Sequence, residues 1–187
     1  MRRRNFLSLP AAALAPPAGL DSAIRDAIKG FDAEVSLYAK NLDTGTAYGL
    51  AENTPVRTAS TIKLPIMAAV FDLAARRRVR WEETLLLRDE DKVSGSGVLH
   101  EFSAGLRLPL RDLVHVMIVV SDNTATNLVL DRITADAVNA YMDTLGLPHT
   151  RSMRKVRGDG IQLKAPSGWS KAGLQEESKR CGIGSST

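Results

Sequence analysis

Apolar and polar positions divide the chain into a short hairpin region and a longer helical body. Residues 21–30 (DSAIRDAIKG) carry the spacing of a short amphipathic helix, with Asp21 expected as N-cap and Gly30 as C-cap. Residues 34–40 (EVSLYAK) alternate apolar and polar as a half-buried strand does. Asp43-Thr44-Gly45 marks a turn, and residues 46–50 are expected to return as the hairpin partner. No comparable strand pair is predicted later. Residues 61–76 are almost wholly apolar, which predicts a helix buried on every side, and Pro65 fixes its start close to Ser60. Residues 81–87 and the Gly95-Ser96-Gly97 loop read as connectors. Residues 109–120 predict a second buried helix ending in Met117-Ile118-Val119-Val120. The pattern breaks at Ser121-Asp122-Asn123, resumes over 124–133, and forms a last helix over 135–145 that Gly146 and Pro148 stop. Beyond Thr150 the chain is polar, Gly-rich and irregular.

Composition narrows the class. A chain of 187 residues, 44% hydrophobic and 25% charged, suits one soluble globular domain, and no apolar stretch is long enough to span a bilayer. The net charge of +4 invites a nucleic-acid partner, but Arg2, Arg3 and Arg4 supply three of those charges. From Gly19 onward 22 basic residues face 21 acidic ones, and the run Arg76-Arg77-Arg78 sits at a helix end, where cations suit the dipole. A nucleic-acid role therefore has no support. Within these residues Cys181 stands alone, and His100, His115 and His149 lack ligand spacing. Neither metal nor cofactor is expected, and a monomer is.

Residues 1–20 read as an export signal. Arg3-Arg4-Asn5-Phe6-Leu7 fits the twin-arginine pattern R-R-x-F-L, an apolar stretch runs from Phe6 to Ala15, and small residues offer A-x-A sites. Pro10, Pro16 and Pro17 interrupt the segment. An exported protein, periplasmic or extracellular, is expected.

The candidate chemistry begins at Ser60-Thr61-Ile62-Lys63. On a helix, residues three apart share a face, so the lysine ammonium can reach the serine hydroxyl. A serine needs a base to take its proton, and burial in an apolar helix lowers a lysine's pKa toward that task. The helix N-terminus also turns free N–H groups toward developing negative charge. With 14 Ser and 8 Lys in the chain, about 0.6 such S-x-x-K tetrads arise by chance at this composition. Ser152-Met153-Arg154-Lys155 is a second match, set in an irregular polar stretch and read as coincidence. Taken alone, Ser60 fits a plain N-cap equally well. Ser121-Asp122-Asn123 shifts the balance, because only about 0.03 S-D-N triplets are expected at this composition. Its plain reading, an interhelix turn with capping side chains, loses ground once the tetrad is considered with it.

Together the two motifs, in RTASTIKLPIMAAVF and MIVVSDNTATNLVLDRI, resemble those of class A β-lactamases and penicillin-binding serine hydrolases over residues 21–147. The resemblance implies an α+β fold of β-lactamase/transpeptidase type, with a helical domain packed on an antiparallel-sheet domain and the active site between them. Residues 21–58 would then be the N-terminal helix and hairpin of the α/β domain, 59–150 the helical domain, and 151–187 an omega-loop-like region. Ser60 would attack the lactam carbonyl and Lys63 would share or relay its proton. Ser121 would pass a proton to the leaving nitrogen, Asn123 would bind the substrate's amide and help hold Lys63, and Asp122 would brace the loop. The substrate would be a small β-lactam, with cell-wall peptide as the alternative for a D,D-peptidase-type acyltransferase. A non-catalytic scaffold is the reading from another class.

Two family features are not found. No K-T-G or K-S-G strand occurs, and no E-x-x-L-N pattern follows Leu147. Glu176 and Glu177 are the carboxylates of glutamate length in that region, and Glu176 is carried as a candidate base. The sheet domain is therefore expected to be incomplete, and the chain to be a truncated, inactive product of an enzyme gene whose hairpin lacks cover.

Overall fold

The computed structural model describes residues 17–156, and the chain divides into two compact units at Arg57–Thr58. In the first unit, helix α1 (Leu20–Ala27) starts behind Gly19, whose φ of 85° suits a residue without a side chain. Asp21 is thus not the N-cap. It lies in the first turn, bonded to Arg25 one turn on (2.8 Å) and accepting from the Tyr48 hydroxyl (2.9 Å). The helix ends at Ala27 with Ile28 as C-cap, short of Gly30. Strands β1 (Leu37–Lys40) and β2 (Ala47–Leu50) form an antiparallel hairpin with Leu37 opposite Leu50 and Lys40 opposite Ala47. Its turn is closed by the Asn41 side-chain Oδ1, which accepts from the backbone N–H of both Asp43 and Thr44. Tyr48 is the buried residue of this unit, while Tyr38 stands in solvent.

In the second unit a 3-10 turn (Ala59–Ile62) runs directly into α2 (Lys63–Ala75). The apolar α2 is not buried on every side. Lys63, Ile66, Ala69 and Val70 form its buried stripe, whereas Leu64 and Phe71 are 54% and 55% exposed. A second strand pair, not expected, is present: β3 (Thr84–Leu86), within a stretch read as a connector, pairs antiparallel with β4 (Arg107–Pro109). Strands of three residues are too short to show alternation, and their partners lie far apart in sequence, so neither signals itself locally.

Pro109 ends β4 and caps α3 (Leu110–Val119), which buries Leu110, Leu113, Val114 and Met117. Val119 and Val120, at its end, are exposed. Helix α4 (Asn123–Ile133) follows, then α5 (Ala135–Thr144), whose Thr134 hydroxyl caps the Ala137 N–H. Helix α3 packs on α4, and α2 on α5. Their shared core includes Ile66, Val70, Leu87, Leu113, Met117 and Val129, each burial contributing roughly 1.5–3 kcal/mol. Helices with small antiparallel sheets make this an α+β fold. Among the described residues no helix is long and apolar enough to cross a membrane. The twin-arginine pattern, Glu176, Glu177 and Cys181 lie outside the described residues.

Candidate active site

Three helix boundaries meet at one polar cluster. Ser60 sits in the 3-10 turn before α2, exposed, and Ala59 ahead of it takes a left-handed backbone (φ 44°). Lys63 begins α2 with 2% of its surface exposed. Ser121, between α3 and α4, is also left-handed (φ 54°). That conformation accompanies a turn in which both oxygens of Ser121 meet Lys63. The Lys63 ammonium donates to the Ser121 carbonyl (2.6 Å), the Ser121 Oγ (2.9 Å) and the Asn123 Oδ1 (3.0 Å). Ser121 Oγ in turn donates to Ser60 Oγ (2.9 Å). The hydroxyl of Ser121 thus stands as the link between Ser60 and Lys63.

Lys63 thus has three uncharged acceptors in a buried setting. Burial pushes its pKa below the ordinary 10.5, and the charge of nearby Asp122 draws it part of the way back. The result is an amine readier than a surface lysine to give up a proton.

Asp122 is fully buried and serves as the N-cap of α4. Its Oδ1 accepts from the Ala125 N–H (2.8 Å), and its Oδ2 accepts from the N–H groups of Val98 (2.6 Å) and Leu99 (2.8 Å). One carboxylate therefore joins the 93–99 loop to the start of α4, through charge-assisted bonds of the stronger kind. Gly97 makes this approach possible. Its φ is +109°, and a Cβ there would stand 2.4 Å from the Asp122 Cα.

Asn123 is used on both sides of its amide. Besides accepting from Lys63, it donates through Nδ2 to the Ser94 carbonyl (3.2 Å), and its backbone N–H donates to the Ser96 carbonyl (2.9 Å). Thr124 completes the seam, its hydroxyl accepting from the Val93 N–H (2.9 Å). Thr124, Asn127 and Asn139, on α4 and α5, were not singled out in the sequence, and Gly97 was read only as part of a connector. Polar residues inside otherwise apolar helices were the available signal, since such positions need partners.

The sequence pattern of the beta-lactamase enzyme family matches residues 19–179. Beta-lactamase L2 of Stenotrophomonas maltophilia is 31% identical over 116 residues, 60% of this chain and 38% of that protein. A beta-lactamase from Sphaerobacter thermophilus is similar in structure, with a TM-score of 0.70 and 32% identity, over 88% of this chain and 62% of that one. PBP-A is similar with a TM-score of 0.68 and 25% identity, over 92% of this chain and 64% of that one. The chain thus spans under two thirds of the length of each of these relatives.

Proposed function

The chain belongs to the beta-lactamase enzyme family, and on that premise we propose a serine hydrolase that opens β-lactam amides through an acyl-enzyme on Ser60. The observation that carries this reading is the unbroken hydrogen-bond run from Ser60 through Ser121 to Lys63. With Lys63 neutral, the Ser121 hydroxyl turns its hydrogen toward Nζ and accepts the proton of Ser60. The freed Oγ bonds to the lactam carbonyl carbon. The proton then returns from Lys63 through Ser121 to the lactam nitrogen as the C–N bond breaks, leaving Ser60 esterified and Lys63 neutral again.

Asn123 and Asp122 act as supports in this scheme. Asn123 holds the amine from one side, and its contact with the substrate amide belongs to the same proposal. Asp122 keeps the loop and the helix start in register. Export by the Arg3-Arg4-Asn5-Phe6-Leu7 pattern and a monomeric state complete the reading.

A second reading, a D,D-peptidase-type acyltransferase on cell-wall peptide, is favoured by one observation. It is the similarity to PBP-A, of which one solved structure, that of a point mutant, is an acyl-enzyme complex with penicillin G.

Incubation with a fluorescent penicillin tests the common step. Mass spectrometry should show one covalent adduct, lost in Ser60→Ala, and an adduct that survives the substitution would end the proposal. A chromogenic cephalosporin separates the two readings: steady turnover supports the hydrolase, and a stoichiometric burst supports the acyltransferase.

A further inference from the structure

Three consecutive residues around the start of α4 hold the 93–99 loop, each at a different place. Asp122 accepts from the N–H groups of Val98 and Leu99, and Asn123 donates to the carbonyls of Ser94 and Ser96. Thr124, fully buried, serves Val93 alone in that loop. Its hydroxyl accepts from the Val93 N–H (2.9 Å) and donates to the Val93 carbonyl (3.3 Å). One side chain thus meets both peptide groups of a residue that is itself buried. Deprived of that partner, the Val93 peptide would have to shift toward water.

Val93 leads into the contact that orients Asn123. The Ser94 carbonyl accepts from Asn123 Nδ2 (3.2 Å), while Asn123 Oδ1 accepts from the Lys63 ammonium (3.0 Å). A side-chain amide has an accepting end and a donating end of nearly equal shape, and its partners decide which way it faces. With Nδ2 held by the Ser94 carbonyl, the oxygen is left for Lys63. Turned by half a rotation, the amide would set its own N–H groups against the ammonium, donor against donor.

We propose that Thr124 is a positioning residue for Lys63: its hydroxyl seats Val93, which holds the Ser94 carbonyl on Asn123 Nδ2 and so keeps the Asn123 oxygen on the amine. Thr124 acts through Asn123 and not on the reacting atoms. The inference rests on the reading of Lys63 as the proton acceptor given above. An oxygen facing the amine favours its charged form, so loss of that oxygen makes the proton easier to release. The amine also loses one of its holds beside Ser121, and the relay slows. Around Lys63, the α3–α4 turn supplies Ser121 and α4 supplies Asn123, and the charge that acts on it is Asp122. Asp122 bonds the loop at Val98 and Leu99, apart from the Thr124 contact.

Thr124→Val removes the hydroxyl at nearly constant volume, and Thr124→Ser keeps it. The 187-residue chain, grown with lysine carrying carbon-13 at Cε, is titrated by NMR, with Lys63→Met identifying the Lys63 signal. Thr124→Val should move the Lys63 midpoint toward acid by about half a pH unit or more, and Thr124→Ser should leave it in place. Labelling by fluorescent penicillin should slow about tenfold in Thr124→Val, and the midpoint of its rate against pH should move with the NMR one. A Thr124→Val protein that unfolds at lower urea yet titrates Lys63 as the parent does has a structural threonine only, and the inference falls. It falls equally if Thr124→Ser moves the midpoint as far as Thr124→Val. Should Thr124→Val not fold, Thr124→Ala stands in its place, and failure of both to fold assigns the threonine to structure and overturns the inference. Absence of labelling in the parent ends the acyl-enzyme reading, whereas the NMR midpoints still decide the part played by Thr124.

Discussion

Ser60 and Lys63 stand three residues apart, and so do Ser152 and Lys155. The first pair begins a helix, and a hydroxyl from a second helix boundary joins its members. The second pair is pulled to separate helices. The Ser152 backbone is clamped by Asn139 on α5, and Lys155 pairs with the Asp131 carboxylate (2.6 Å) on α4. Lys63 meets neutral oxygens in a dry setting, so its proton is loosely held, whereas Lys155 faces a full negative charge. Equal spacing thus yields a hydrogen-bonded serine–serine–lysine run in one place and an anchoring ion pair in the other. What differs is the third group that each lysine meets.

Substitutions can break this contrast, the strongest at Lys63. Lys63→Met removes the proton acceptor while keeping most of the side-chain volume, and should slow penicillin labelling by about 10²–10⁴-fold, read from the rate of adduct formation. In the unsubstituted chain that rate should climb as pH is raised through the lowered pKa of Lys63, since the proposed relay runs through the neutral amine. A flat profile between neutrality and pH 10 would deny the amine that role. Stability should move in the same direction. Between the lowered folded value and the ordinary 10.5 the unfolded chain binds more protons at Lys63 than the folded one. The contribution of Lys63 to stability therefore improves as pH rises through that window, and below it the full burial penalty stands.

A smaller effect is expected from Gly97→Ala. A methyl group 2.4 Å from the Asp122 backbone must displace the loop, and the positive φ adds strain. Together these should cost about 2–4 kcal/mol, read by urea unfolding. Smallest of all is Lys155→Met, which should leave the labelling rate within about twofold. A loss of labelling comparable with that of Lys63→Met would erase the distinction between the two tetrads.

Much of this was legible because the informative signals were local. Ser121-Asp122-Asn123 interrupts two apolar runs, and the interruption marks the corner where α3 gives way to α4. Pro65 bounds the start of α2 from sequence alone. Less accessible was whatever depends on a distant partner. The 3-10 form of the Ser60 turn is a matter of backbone geometry that no residue type announces. Strands β3 and β4 find each other across a 20-residue excursion, the separation of Leu86 from its neighbour being set by loop closure and not by pattern. Leu64 and Phe71 misled because an all-round apolar surface signals burial, yet within the described residues only one stripe of α2 is covered. The role of Asp122 was legible as a brace; the identity of what it braces, the N–H groups of Val98 and Leu99, was not.

Two helix asparagines hold the chain after α5 by its backbone, Asn139 at Ser152 and Asn127 at Val156, each donating to a carbonyl and accepting from an N–H. Asn127 touches only the peptide groups of residue 156 and asks nothing of the side chain borne there. Proline at 156 would remove the N–H that Asn127 accepts from and so break the anchor. The path of the chain across α4 and α5 is thereby written in Asn127 and Asn139, and not in the side chains of the residues they hold.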